Sequence, residues 1–459
     1  MLEILEKCLQ TNLADKADLV QLRGQNRLTT TCIVKNGVVE QFSSAFLGGV
    51  GIRALVDKKS WGFSSTTMCD TKNVEQTLKN AVELGKAASS MKEQEIELEP
   101  AKEITARVEA PIKHPVPDSA EDIVKIPLKA YKGAQEVGRE VADVEATYIS
   151  MEDEKYFLSS EGVSITQKSA RVMLFVNVIA KGTVICPASE NLGHTGGLEL
   201  FDTMTPYELG KTVAEKAVTL LKAKSPPSGM FTVVIDPKLC ATLLHEAIGH
   251  PLEADLAMAG GGFGTQVGEL VSSELITIYD DGRIPNGLGY FMYDDEGIPC
   301  ERTTLIEKGV LKSFMHDRES AFLSRAPPTG NAHAWDYSVE PLIRQTNIGI
   351  EAGDYTAEEM IEDVRNGLYL EGTFGGQADS NADFTFGFQC ARKIENGLLT
   401  EEFRGANVAG NAIEVFKTID AVSKEAVLRP GACGKSQFAV QGRVVPAIRC
   451  QIMVGGTGE

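Results

Sequence analysis

The 459-residue chain is 43% apolar and 24% charged, an ordinary globular composition, and is too long for a single hydrophobic core. Its net charge of −19 argues against nucleic acid or an anionic membrane as partner, since both require cationic surface. The opening MLEILEKCLQ carries acids and no basic leader, Val172–Ile179 is far short of a membrane span, and nine dispersed cysteines form no CxxC pair, so a cytoplasmic protein with mostly buried thiols is expected.

Leu2, Leu5, Cys8 and Leu9 stand at helical spacing and predict a short helix over 2–12. From Ala17 to Met68, runs rich in Thr, Val, Ile and Phe alternate with turn signals at Asn36-Gly37, Gly48-Gly49 and Asp57-Lys58-Lys59, the pattern of an antiparallel meander. Helical periodicity returns over 73–91, and Lys92 to Ser119, charged and proline-containing, reads as a linker. A second helix starts near Ser119, with Asp122 at capping distance, and strands resume from about Ala142 to Ser189. Helix-then-meander therefore occurs twice, as an internal duplication would give.

Thr205-Pro206-Tyr207-Glu208 opens a helix to about Lys224: threonine caps, proline takes the first turn and glutamate reaches back. Ser225-Pro226-Pro227-Ser228-Gly229 then separates an N-terminal α+β domain, 1–225, from a C-terminal domain, 230–459. The second domain begins with a strand, Met230–Ile235, and a helix capped by Asp236 with Pro237 in its first turn. Further strand candidates are Glu274–Tyr279, Thr303–Ile306, Val310–Met315, Asn347–Ile350, Phe384–Ile394 and Val444–Val454. Lys308-Gly309 and Asn396-Gly397 are hairpin turns, and Thr356 with Glu359 opens a helix over 356–367. The expected fold class is α+β, the second domain being a curved, mostly antiparallel sheet that carries the helix after Asp236.

That helix contains His245-Glu246-Ala247-Ile248-Gly249-His250, two of six histidines with a glutamate between them. Two imidazoles, an open position and a nearby base are the parts of a hydrolytic metal site. Histidines four apart share a helix face, but five residues turn about 140° on an ideal α-helix. Either Gly249 and Pro251 break the helix so that His250 turns back, or a π-bulge brings the two rings together. The plain structural alternative is a surface ion pair between Glu246 and His250 at i,i+4. The apolar Leu243, Leu244, Ala247 and Ile248 around the pair favour a buried site. Candidates for a third ligand are His316, His333, several carboxylates and the cysteines. Among these Cys433 lies between glycines, with Lys435 placed to favour its thiolate.

HEAIGHPLEADL is followed in order by GTQVGELVSSELITIYDDG, YDDEGIPCERTTLIEKGVLKSFMHDR, TFGGQADSNADFTFGF and PGACGK with a terminal VGGT. With these blocks, which cover nearly the whole C-terminal domain, the chain resembles the TldD half of the TldD/PmbA family. The resemblance implies a cytoplasmic metallopeptidase that cuts unstructured peptides or unfolded protein. It implies one zinc per active subunit, with iron as the other candidate metal, bound by His245, His250 and Cys433, and water activated by Glu246. It further implies a PmbA/TldE-like paralogue as partner, a homodimer being the alternative, and peptide recognition by backbone pairing with an exposed strand. Two departures from the family pattern stand out: Ser436 precedes Gln437 where a glycine is usual, and Pro341–Asn347 lacks the methionine-rich character of bacterial members. The same residues would also suit a non-catalytic subunit with a structural metal, or a small-molecule amidase.

The remaining polar residues have simpler readings. Glu253 and Asp255 are solvated or capping acids unless they touch the motif histidines. Ala259–Gly264 is a loop beside the site, His114 is exposed, and His316 and His333 are hydrogen-bonded structural residues. Asp379, Asn381 and Asp383 form a turn, because the calcium-loop pattern is incomplete.

Overall fold

A computed structural model of the chain describes residues 1–264, 266–379 and 381–455. Thr265 and Ser380, within two of the sequence blocks above, and residues 456–459, with Gly456 and Thr457 of VGGT, lie outside the described residues. The fold is α+β and mostly sheet.

The first sheet contains β1 (Leu19–Lys35), β2 (Val38–Val56), β3 (Ser60–Thr66), β4 (Ile104–Glu109), β5 (Val141–Ser159), β6 (Val163–Lys181) and β7 (Ile185–Thr195). Its order is β3-β2-β1-β5-β6-β4, with β7 on the later half of β6. Asn36 and Gly37 both have positive φ (49° and 81°), which closes the β1–β2 hairpin in two residues. β1 and β5 pair antiparallel at the centre, so two long hairpins stand back to back. The helices Leu2–Leu9 and Thr71–Ser89 cover the first hairpin; Ala120–Gln135 and Pro206–Leu220 cover the second. Ser119 caps Ala120–Gln135 as expected, and Thr205 with Glu208 makes a complete capping box.

Strand alternation assigns the two faces of this sheet. On β1, Val20, Leu22, Cys32 and Val34 point to the helices, while Gln21, Arg23, Gln25 and Arg27 point to the C-terminal half. The polar face is buried there by Met151 and Met173 against Leu288 and Val440, and by ion pairs. Arg318 grips Glu161 through two 2.7 Å contacts, Lys155 meets Asp295 at 3.0 Å, and Arg53 pairs with Glu296. Residues 104–109, expected within a linker, instead form β4 beside β6. Ile104 and Ala106 pack toward Phe157 and Ile165; the six residues alternate apolar and polar, but the charged, proline-containing stretch around them outweighs that short signal.

The C-terminal half contains β8 (Gly229–Ile235), β9 (Ile278–Asp280), β10 (Thr303–Glu307), β11 (Val310–Leu311), β12 (Ala332–His333), β13 (Leu342–Ile343), β14 (Asn347–Ile350), β15 (Asn366–Glu371), β16 (Gly375–Ala378), β17 (Asp383–Glu395), β18 (Leu398–Asn411), β19 (Ala421–Cys433) and β20 (Ala439–Gly455). β12 and β13 make a small ribbon; the rest join one sheet ordered β11-β10-β9-β14-β20-β18-β17-β15-β8, with β16 on β17 and β19 on β20. β8 also returns to pair with β20, so β20, β18, β17, β15 and β8 close on themselves. The curvature is as expected, but β9 and β11 are shorter than their sequence runs, and β15, β18 and β19 were not foreseen. The helix opened by Thr356 stops at Glu362 because Asn366 already enters β15.

The helix after Asp236 lies inside this curve. Leu239, Leu243, Leu244, Ala247 and Ile248 are buried with Phe384, Phe386, Phe388, Ile448 and Ile452. Each such side chain contributes about 1.5–3 kcal/mol on burial, which fixes the helix firmly against the sheet.

Candidate metal centre

The Asp236 carboxylate accepts from Leu239 N–H at 2.8 Å and starts an α-helix over Pro237–Leu243. The helix then widens to a π-helix over Leu244–Gly249, in which His250 N–H donates to His245 O. That i→i+5 bond stacks residues five apart, so both rings face the same side, 4.6 Å between centroids. Pro251 has no N–H for the carbonyl of Ala247, so the α-helical ladder stops there. The expectation of a break at Gly249 or His250 is corrected: both keep helical angles (φ −63°, ψ −49° and φ −62°, ψ −46°). Gly249 serves through its size, because a Cβ there would meet Gln345 Oε1 at 2.4 Å.

Cys433 ends β19, held in register opposite Ala439 of β20. Its Sγ lies 3.0 Å from His250 Nε2. One ligand atom from each of His245, His250 and Cys433 lies within 4.8 Å of the others. Gln345 Oε1 accepts from His245 Nδ1 at 2.7 Å, and Glu253 Oε1 lies 3.1 Å from His250 Nδ1. Each imidazole is thus held from its Nδ1 side, with Nε2 turned toward the common space, the arrangement typical of metal-binding histidines. Two borderline-soft nitrogens and a thiolate are a donor set that suits zinc.

The electrostatics follow from burial and contact. Burial, with Arg443 and His250 nearby, pushes His245 well below its usual range, so its ring is neutral. Burial also pulls His250 down, but Cys433 and Glu253 outweigh it and raise it to about 10. Burial raises Cys433, yet the contact with His250 lowers it overall. Lys435 does not act on the thiolate through its ammonium, as the sequence predicted. Its Nζ binds Glu253 at 2.6 Å and Asp255 at 2.7 Å, while its backbone N–H helps to lower Cys433. Glu253, fully buried, is held ionised by His250 and Lys435 against the cost of burial.

Glu246 does not pair with His250; its Oε1 is 3.6 Å from His245 Nε2, and its side chain is 27% exposed. With His250 and Cys433 it lines an open cavity of ≈ 530 Å³, bordered by Leu256, Ala259, Gly261 and Asp379. The loop expected beside the site is there, and so is the Asp379 turn, whose carboxylate accepts from Asn381 and Asp383 N–H. His316 and His333 lie outside the cluster of His245, His250 and Cys433. His316 bonds Ser320, but neither ring nitrogen of His333 makes a well-formed hydrogen bond among the described residues. His114 is half exposed, 3.6 Å from Asp202. Sequence reasoning missed Gln345, whose one signal was its place in the block that departs from the bacterial pattern.

Three family profiles match the chain: PmbA/TldA metallopeptidase domain 1 over 20–85, central domain over 113–221 and C-terminal domain over 228–456. A "Metalloprotease" of Methanothermobacter thermautotrophicus is 34% identical over 97% of both chains. A "Zinc metalloprotease TldD homolog" of Saccharolobus solfataricus is 29% identical over 86% of both. The crystal structure of TldE from Thermococcus kodakarensis superposes with a TM-score of 0.77 at 19% identity, covering 98% of this chain and 99% of that one, which is a likeness of fold. Among the described residues, no helix is long and apolar enough to cross a membrane.

Proposed function

The chain belongs to the PmbA/TldD family of metallopeptidases, and from that premise we propose that it is a zinc-dependent, TldD-type catalytic subunit hydrolysing unstructured peptides. The observation that carries this reading is the convergence of His245, His250 and Cys433 beside an accessible carboxylate, Glu246. The name of the Saccharolobus relative supports zinc as the metal, with iron the alternative. Residues 230–459 form the peptidase unit in this reading, and 1–225 its partner-facing unit.

His245 and His250 would hold zinc through Nε2 and Cys433 through Sγ, next to the cavity that His250, Cys433 and Glu246 line. Zinc supplies Lewis-acid polarisation of the scissile carbonyl and acidifies water. Glu246, on the cavity side, accepts the proton of the attacking water and passes it to the leaving amine. Gln345 and Glu253 keep the imidazoles oriented throughout. An open cavity argues for hydrolysis over a closed structural metal.

The cavity also favours peptides over small amides. β16 pairs with β17 and β19 with β20, each leaving its other edge without a strand partner among the described residues, and Ala378 and Ala432 of these two strands line the cavity. Free edges can pair with an extended backbone irrespective of its side chains. The exposed Val39, Phe42 and Phe46 of β2, on one face opposite Val34, Cys32 and Leu28, form an apolar surface suited to a TldE-like paralogue or a second copy.

Glu246→Gln tests the core of this reading. The variant is expected to retain one zinc per chain while cleavage of an unfolded peptide falls at least ~100-fold. Normal cleavage by the variant would remove Glu246 as the base.

A further inference from the structure

A second cavity lies between the first sheet and the C-terminal half. Arg27, Asp153, Lys155 and Arg171 line it from the sheet, His333 and Arg344 from the other side. Its free space is ≈ 30 Å³, room for about two waters or one small anion.

The charges around this space do not balance. Asp153 pairs with Arg27 at 2.7 Å, and Asp295, just behind, pairs with Lys155 at 3.0 Å. Arg171 and Arg344 have no carboxylate within 4.0 Å among the described residues. Arg171 donates to the carbonyls of Leu288 and Tyr290 and to the Ser169 hydroxyl. Arg344 donates through Nη1 to the carbonyls of Lys435 and Gln437, while its Nη2 is buried without a partner. Neither ring nitrogen of His333 makes a well-formed hydrogen bond, although the Gly330 backbone acts on the ring from close by. Burial holds that ring near a pKa of about 4, so it is neutral with one N–H to give. Two orphan donors therefore face one small space beside two guanidiniums that touch no carboxylate; Arg171 has the more distant Asp153 charge and the Phe291 ring at 4.8 Å, and Arg344 the charge of Cys433.

We propose that this cavity binds a small monoanion, a halide or a carboxylate of formate size, through Arg344 Nη2 and the ring N–H of His333. Two waters would satisfy the orphan donors but would leave both guanidiniums with only distant countercharges, a costly state for a buried charge. An anion satisfies the donors and supplies the missing charge together. It also bridges the two halves of the molecule next to Gln345, which lines the same cavity and holds His245. The proposal does not depend on the peptidase reading, since its ligands are distinct from the metal cluster.

The test uses the full chain in gluconate, an anion too large for the space, with chloride, bromide or formate substituted at constant ionic strength. Melting temperature is expected to rise on the order of 2–4 °C and to saturate in the millimolar range. Bromide-grown crystals should give an anomalous peak at hydrogen-bond distance from Arg344 Nη2 and His333. A response to halides alone identifies a halide site; a response to formate alone identifies a carboxylate site. Ala334→Leu, which fills the cavity without touching a charge, should abolish the shift. Should that variant not fold, His333→Phe, which removes a donor beside Phe291, should reduce it. Equal melting in all four anions, or water density alone in bromide crystals, overturns the proposal.

Discussion

Gln345 Oε1 stands 2.7 Å from Nδ1 of His245 and fills the space that a side chain on Gly249 would need. The bond places the His245 proton on Nδ1 and leaves Nε2 unprotonated, where it accepts from Gln441 Nε2 at 3.2 Å and can serve as a ligand atom once that amide gives way. Gly249→Ala adds no backbone strain, since Gly249 has helical angles, and alanine is the better helix former. Any loss therefore reports the displaced Gln345. Gly249→Ala and Gln345→Leu are both expected to weaken zinc binding about 10–100-fold in a chelator competition. Unchanged affinity in both would show that His245 is oriented by other contacts.

Cys433→Ser should bind zinc substoichiometrically and lose cleavage, because a hydroxyl is a far poorer zinc ligand than a thiolate. Its far-ultraviolet circular dichroism should match the parent, since Cys433 sits half-buried at the end of β19. Cys240→Ser and Cys450→Ser are the controls: both thiols are buried, and burial pushes their pKa values up. They should cost stability and keep zinc. Full zinc in Cys433→Ser would remove the thiol from the ligand set.

The motif itself was largely legible in the sequence. The five-residue spacing required a break or a π-bulge, and Pro251 marked where the α-helical ladder had to stop; the chain takes the π route. Cys433 was one candidate by its context between glycines, and the resemblance, not pattern, made it the expected third ligand. It ends a strand whose Lys424, Glu425, Pro430 and Gly431 interrupt any apolar alternation. Gln345 was illegible because its importance lies in burial against His245, which sequence spacing does not report; Glu253 was legible only as the alternative to a solvated or capping acid, and its contact with His250 decides between the two. His333 reads as an ordinary structural histidine until its two nitrogens, neither with a well-formed hydrogen bond, are seen. β4 was missed for another reason: its six residues alternate apolar and polar, but the charged, proline-containing stretch around them reads as a linker.

Glu253 and Lys435 form a pair whose value can be measured by a double-mutant cycle. Glu253 is fully buried and Lys435 nearly so, with 2.6 Å between them. Glu253→Gln leaves Lys435 with only the half-exposed Asp255, and Lys435→Met leaves Glu253 with only His250. Each single change is expected to cost about 3 kcal/mol in urea unfolding, because each removes the nearest countercharge of a buried ion. The double variant should cost markedly less than the sum, since no charge is then left alone. Additive costs would mean that the two groups do not stabilise each other.

His316 should give the folded chain a measurable pH dependence. Its ring is buried, with Nδ1 3.1 Å from Ser320 Oγ, and burial pushes its pKa down to about 4 from an ordinary 6.5. Above about pH 6.5 the ring is neutral in both folded and unfolded chains, so it costs nothing. As pH falls from 6.5 toward 4, the unfolded chain takes up a proton that the folded chain refuses, and stability declines. Below about pH 4 the folded ring protonates too and the decline levels off; the full span amounts to about 3 kcal/mol. His316→Gln keeps a hydrogen-bonding side chain and removes the titration. Urea unfolding of parent and variant between pH 4 and 7 isolates this group, because the other titrating residues cancel in the difference. The variant's stability should fall less steeply on acidification; a parallel pair of curves would show that His316 titrates normally in the folded chain.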